Sequence, residues 1–273
     1  MATTIGEATI KLTFDNKELD KSVDKAQSKV KSFLGTLGTT AKIGGKFLAG
    51  AFIAAGSAVS ALGTASVKAY AETEQLVGGV ETLFGESADQ MLKYARQAYK
   101  TAQISAAEFM DTSIQFSASL VQGLGGDTAK AADYANRAII DMADNANKMG
   151  TDIGRIQDAY RGFARQQFNM LDNLALGYGG TRTEMERLIK DAASYKEEQA
   201  ELNVVVEEGS LSFDNIINAI SVVQKHMGIA GTSAEEAAHT IQGSFKSMKA
   251  AATDLITGLT DPSADLGQLL DNF

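Results

Sequence analysis

Proline is nearly absent from this chain, and that absence constrains the fold more than any other feature. Pro262 is the single proline in 273 residues. Because proline interrupts helices and the sequence is rich in helix-forming alanine, almost nothing stops helices from running long. Hydrophobic residues make up 44% of the sequence, which is enough to bury a core. We therefore predict a mainly α protein with about one to three packed units.

The composition removes several classes of functional site. The chain has no cysteine, which excludes disulfides, thiolate metal sites and cysteine nucleophiles. Its histidines, His226 and His239, have no partner at metal-ligand spacing, so we interpret both as solvated or core side chains. We predict no catalytic residue, no cofactor and no metal site.

Charge is distributed unevenly along the chain. The net charge of −9 argues against a general nucleic-acid binder. Residues 1–72 hold nine Lys/Arg against six Asp/Glu, and the remainder holds sixteen against twenty-eight, so a basic arm precedes an acidic body. Residues 1–16 lack the basic start and apolar run of a signal peptide, and we expect synthesis in a cytoplasm.

The first segment, residues 1–16, has the alternating pattern of one short, half-buried strand. Its apolar positions alternate with polar ones: Ala8, Ile10, Leu12 and Phe14. A single strand is not stable alone. It is therefore expected to pair either with a strand around Asn203 to Val206 or with another copy of the chain.

The second segment, residues 17–84, begins with a helix whose apolar residues recur at alternating steps of four and three. These residues form a predicted self-association seam: Leu19, Val23, Ala26, Val30, Phe33 and Leu37. The spacing is typical of a coiled coil and keeps one seam facing a partner helix, which we predict to come from another copy of the chain. Beside the seam runs a basic row, which is either a solvated flank or a contact for an acidic partner or membrane headgroups: Lys17, Lys21, Lys25 and Lys29.

The same segment contains an uncharged run at residues 47–67, long enough for a helix to span a bilayer. Large apolar side chains share one face of it: Leu48, Phe52, Val59 and Leu62. Small residues line a neighbouring stripe and allow helices to approach closely: Ala49, Gly56, Ser60 and Gly63. The run is interpreted as a buried helix of an oligomeric bundle or, alternatively, as a transmembrane helix.

Residues 85–260 are predicted to form an all-α multi-helix domain, and residues 261–273 to begin a further, truncated segment. Small polar residues predict helix starts, because their side chains accept hydrogen bonds from free backbone amides. Four of them have Gln or Glu three residues later, as in a capping box: Ser87, Ser105, Thr181 and Ser233. Three more are predicted at Asp127, at Thr151 or Asp152, and at Ser212. Gly150 is predicted to end the helix that Asp127 starts, and Ser233 to open one long helix through Leu259.

No motif in the chain supports catalysis. The glycine clusters at residues 123–130 and 177–181 lack P-loop spacing and are interpreted as breaks between helices. Acidic residues are scattered along helix faces, and no pair is singled out as acid and base: Asp141, Asp144, Glu184 and Glu186. An enzyme with an unfamiliar helical site would instead need a cleft with converging, strongly perturbed ionisable groups.

Two stretches together resemble phage tail tape measure proteins of the long, flexible-tailed type. Residues 131–189, from AADYANRAII to TEMERLI, are similar to the alanine-rich core domain of that family. Residues 211–259, LSFDNIINAI to TDLITGL, are similar to the segment that follows it and are the more specific match. The strand, the lysine-rich heptad helix and the apolar run also suit such an N-terminus.

The resemblance implies a structural role in the virion. Parallel copies would occupy the tail lumen, template the length of the tail tube and leave ahead of DNA during ejection, with tube protein, tail assembly chaperones and tail-tip proteins as partners. Even one continuous helix of this length would reach only about 400 Å, so we expect a piece of a longer protein. The alternative is a membrane-inserting or pore-forming helical protein that uses residues 47–67 at the host inner membrane.

Overall fold

Amphipathic segments separated by short turns fold into helices throughout the part of the chain that the structure describes. The computed structural model describes residues 59–239, 241–258, 264, 265 and 267–269. Ten α-helices lie within these ranges: α1 Val59–Phe84, α2 Ala88–Thr101, α3 Ala106–Gly123, α4 Thr128–Met149, α5 Ile153–Phe163, α6 Arg182–Ser194, α7 Lys196–Glu201, α8 Phe213–His226, α9 Thr232–His239 and α10 Ile241–Gly258. Short 3-10 turns occupy Gly85–Ser87 and Leu171–Leu174. Within the same residues there is no β-strand, and the mainly α prediction is confirmed.

Most predicted helix starts are confirmed by their hydrogen bonds. Ser105 and Glu108 form a complete capping box at α3. Asp127 caps α4, and Asp152, rather than Thr151, caps α5. The same geometry starts α6: the Thr181 side chain accepts from the Glu184 amide. At the other end of α4, Gly150 adopts a left-handed conformation with φ 67°, which glycine reaches without strain.

Helices α2 and α8 also begin directly after Ser87 and Ser212, as predicted, but these serines lack the predicted side-chain cap. Ser87 precedes α2, but its hydroxyl pairs with the Thr128 hydroxyl at 2.9 Å instead of capping the helix. Ser212 precedes α8 without a side-chain cap. Ser233 lies inside α9 instead of preceding it. The predicted helix from Ser233 through Leu259 spans α9 and α10, and Thr240 between them is outside the described residues.

The predicted strand near residues 203–206 is wrong. This segment connects α7 to α8, and side chains bind its backbone groups in place of a neighbouring strand. The Val206 amide donates to Gln199 Oε1 at 3.0 Å, and the Val205 carbonyl accepts from Asn218 Nδ2 at 3.1 Å. With both groups satisfied by side chains, the segment does not need a strand partner.

Most of the described buried apolar side chains form one continuous cluster that runs from Val80 at the end of α1 to Ile229 after α8. Its large, fully buried members are far apart in the sequence: Phe84, Phe109, Leu120, Phe163, Leu171 and Met185. Because helices distant in sequence share this cluster, residues 85–229 form a single bundle and not an extended row of helix pairs.

Several predicted features lie outside the described residues. These are the strand at residues 8–14, the self-association seam at residues 19–37, and residues 47–58 of the apolar run. Val59, Ser60, Leu62 and Gly63 belong to the first turns of α1, where only the backbone is described. Of the helices that the structure describes, none combines the length and hydrophobicity that a bilayer crossing requires.

Gly180 lies in the turn before α6, and a substitution there can test how tightly this turn is packed. A Cβ atom on Gly180 would lie 2.4 Å from the Asn169 carbonyl oxygen. We therefore expect Gly180→Ala to lower the free energy of unfolding by about 2–3 kcal/mol, since backbone atoms must move to make room. Denaturant unfolding followed by circular dichroism measures this change.

Gly123→Ala is the matched control, because a Cβ atom there meets nothing within 4 Å. Gly123 ends α3, so alanine should be neutral or stabilise the chain by up to about 1 kcal/mol. Equal effects of the two substitutions would contradict the packing described for the turn before α6.

Candidate functional site

Polar side chains lie within the core where α4 packs on α8. Arg137 Nη1 on α4 donates to Asn218 Oδ1 on α8 at 2.7 Å. One turn further along both helices, the Ser221 hydroxyl donates to the Asp141 carboxylate. Because both contacts advance in the same direction, the two helices run parallel. Each polar group in these pairs has a partner, as burial requires.

Asp141 is the most perturbed acid of this interface, and only 5% of it is exposed. Burial raises the pKa of Asp141 to about 7, although the hydrogen bond from Ser221 acts in the opposite direction. The nearby Asp144 carboxylate raises this pKa further, while Arg137 lowers it. Burial also raises the pKa of the Tyr160 phenol, beside the same carboxylate.

A carboxyl group with a pKa near 7 can act as a general acid or base if a substrate reaches it. Asp141, Ser221 and Tyr160 are almost completely inaccessible to solvent. No substrate can therefore approach this group in the folded chain. The polar interface is best described as a structural element that fixes how α4 and α8 meet.

Asp144, one turn after Asp141, holds the start of α9. Its Oδ2 accepts from the Gly231 amide at 2.6 Å, and its Oδ1 accepts from the Ser233 amide at 2.7 Å. The Asp144 carbonyl accepts from the Thr232 hydroxyl at 3.3 Å. Burial raises the pKa of Asp144, and the two amide donors partly offset that effect. Both carboxylate oxygens thus fasten α9 to α4.

A cleft of about 500 Å³ lies between α10 and the first three helices. Its walls are mainly apolar, with a few polar groups: Thr73, Val77, Leu92, Ala95, Arg96, Ala106, Ala107, Met110, Asp254, Thr257, Gly258, Ala264, Asp265, Gln268 and Leu269. Asp254 accepts from the Ala106 amide at 2.9 Å and so satisfies a free donor at the start of α3. Burial raises the pKa of Asp254 to about 7. The hydrogen bond from the Ala106 amide lowers this pKa, and the nearby Glu108 carboxylate raises it.

At each glycine cluster, a side-chain carboxylate of the chain itself accepts from a backbone amide. At the first, the Asp127 carboxylate already accepts from the Lys130 amide at 3.0 Å. At the second, the Glu184 carboxylate accepts from the Gly179 amide at 3.1 Å. Side-chain carboxylates therefore occupy the positions that a phosphate would take.

His226 forms a surface pair. Its Nδ1 lies 2.6 Å from Glu198 Oε1, and its ring stacks on Tyr195 with centroids 3.8 Å apart. Within the described residues, no group of three or more His, Asp or Glu side chains is placed to hold a metal ion. The side chain of His239 is outside the description.

The structure brings together residues that sequence reasoning treated separately. The sequence places Asp141 and Asp144 among acidic residues scattered along helix faces, and the structure shows that both are buried. Asp254 and Ser221 were not singled out at all. The available signal was positional, since Asp141 lies three residues after Ala138 and directly before Met142, two apolar residues at helical spacing.

Comparison of the chain with protein-family models, with curated proteins and with solved structures found no match.

Asp141→Asn tests the buried carboxylate. The pKa of Asp141 is raised in the folded state from 3.8 to about 7, so its contribution to stability is complete below about pH 4 and is lost as the pH rises through 7. Asparagine keeps an acceptor for Ser221 without a charge. We expect the free energy of unfolding of the Asp141→Asn variant to exceed that of the unmodified chain by roughly 1–3 kcal/mol at pH 8. Near pH 4 the two free energies should be equal.

Denaturant unfolding at both pH values measures this difference. Glu208→Gln, which removes the charge of an exposed carboxylate in the segment between α7 and α8, is the control and should leave the pH dependence unchanged. A destabilising effect of Asp141→Asn at pH 8 would show that the ionised carboxylate stabilises the interface.

Proposed function

We propose that this chain is the N-terminal part of a phage tail tape measure protein, a structural component that templates the length of the tail tube. The observation that carries the proposal is the resemblance of residues 131–189 and 211–259 to that family. It is supported by the way these stretches pack, because α8 from the second contacts α4 and α6 from the first. The two resembling stretches therefore belong to one folded unit.

The described polar groups also suit a structural role. The buried carboxylates of Asp141 and Asp144 bind groups of the chain itself, and Asp254 binds the start of α3. Such contacts position helices and do not present reactive groups to a substrate. We propose accordingly that the chain is not an enzyme and acts through assembly.

In this proposal the basic arm and the acidic bundle have different tasks. The seam at residues 19–37 associates with the same seam of parallel copies and hides apolar side chains from water. The body from residue 73 onwards, with sixteen Lys/Arg and twenty-eight Asp/Glu, repels the phosphates of packaged DNA. Assembly takes place in the cytoplasm of the bacterial host, where tube protein, tail assembly chaperones and tail-tip proteins gather around the chain.

Disruption of the seam tests self-association. In the full chain, Val23→Asp together with Val30→Asp places charges on the seam, and the complex should dissociate to monomers. Ser22→Asp together with Ser28→Asp adds the same charge off the seam and should leave the oligomer intact. Light scattering coupled to size-exclusion chromatography gives the mass, and a monomeric unmodified chain at high concentration would contradict this part of the proposal.

Tail length tests the template itself. Duplicating residues 17–37 in the gene adds 21 residues of helix, which should lengthen the tail by about 30 Å. Electron cryomicroscopy of phage particles produced by cells that carry the altered gene measures the tail length. A flexible Gly/Ser insertion of equal length in the turn at residues 207–210 is the control. Tails of unaltered length in both strains would exclude a template role for residues 17–37.

A further inference from the structure

Three polar side chains in and beside the α4–α8 interface are completely buried, yet four of their atoms lack a hydrogen-bond partner. Gln224 on α8 is 0% exposed, and neither its Oε1 nor its Nε2 is bonded. The Tyr160 hydroxyl on α5 and Asn145 Oδ1 on α4 also have no partner among the described residues. Such groups are nearly always bonded in folded proteins, because an unpaired buried polar group costs free energy.

Helical geometry places Asn145 and Gln224 at the same level of the interface. Asp141 on α4 meets Ser221 on α8. An α-helix turns by about 100° and rises by about 1.5 Å per residue. Asn145 follows Asp141 by four residues and Gln224 follows Ser221 by three. Because the two helices run parallel, both side chains lie roughly 5 Å beyond this contact.

Asn145 and Gln224 also lie on the same flank of the interface. Relative to the central contact, Arg137 and Asn145 are rotated about the axis of α4 by about 40° in opposite directions. On α8, Asn218 and Gln224 are rotated from it by about 60° in opposite directions. Arg137 bonds to Asn218 on one flank. Asn145 and Gln224 therefore share the opposite flank.

Helix α5 covers this second flank and brings the Tyr160 phenol to it. Asn145 Nδ2 donates to the Leu174 carbonyl at 2.8 Å, and the 3-10 turn that contains Leu174 packs against α5. The Asp141 carboxylate, one turn before Asn145, contributes to the raised pKa of the Tyr160 phenol, so these two groups are close. The unpartnered atoms thus meet where α4, α5 and α8 join.

We propose that this junction of α4, α5 and α8 binds internal water, which bridges Tyr160, Asn145 and Gln224. Water suits the four atoms because they include donors and acceptors. The Tyr160 hydroxyl and Gln224 Nε2 can donate, whereas Asn145 Oδ1 and Gln224 Oε1 accept. A metal cation would leave the Nε2 donor unpaired, and an anion would leave the two amide oxygens unpaired.

The bound water gives the second flank of the interface its polar contacts. On the first flank Arg137 bonds directly to Asn218. Internal water in proteins typically makes about three hydrogen bonds to buried polar groups, and such bonds are nearly as favourable as direct ones. The water therefore fastens α5 to the α4–α8 pair through Tyr160.

Oxygen-17 relaxation dispersion of the full chain tests this proposal, because it counts water molecules that stay inside the protein for longer than its tumbling time. Tyr160→Phe together with Gln224→Met approximately preserves the packed volume and removes three of the four unpartnered atoms. We expect this double variant to hold at least one long-lived water molecule fewer than the unmodified chain. Gln122→Met makes the same change at an exposed position of α3 and should leave the number unchanged.

Equal numbers of long-lived water molecules in the double variant and in the unmodified chain would overturn the proposal. If the double variant does not fold, denaturant unfolding of Tyr160→Phe alone gives the answer. Loss of a hydroxyl that binds water should lower the midpoint denaturant concentration, because the water and its other partners lose a bond. An unchanged or higher midpoint would show that the hydroxyl has no partner, and would also overturn the proposal.

Discussion

The fold depends on the parallel packing of α4 against α8, two helices about 80 residues apart in the chain. Ala135 and Ala138 on α4 and Ala219 on α8 are fully buried, and such small side chains allow close helix approach. The remaining helices are positioned by this pair: α3 packs against α4, α6 packs against α8, and α9 is bonded to the last turns of α4. A change in the α4–α8 contact would therefore displace most of the bundle.

Polar contacts give this interface its register. Arg137 meets Asn218 and Asp141 meets Ser221 only when the helices are aligned as observed. A shift by one turn would leave a buried carboxylate without its donor, which costs far more than a mismatch between apolar side chains. We interpret Asp141 as a residue that selects one arrangement at the expense of some stability, a trade known for buried polar groups in helical assemblies.

The proposed function places an inert bundle at the end of a self-associating arm. A bundle whose buried carboxylates bind groups of its own chain presents none of these acids to its surroundings. An acidic surface also keeps the bundle apart from DNA.

The amino-acid sequence alone determined the helical class and most helix ends. Caps such as Ser105 with Glu108, Asp127 and Gly150 act over three or four residues, so local spacing is enough to predict them. Tertiary structure alone decided which polar residues are buried. The burial of Asp141 depends on Ser221, 80 residues away, and no local pattern encodes a contact at that separation. The candidate site could therefore be recognised only after the helices were packed.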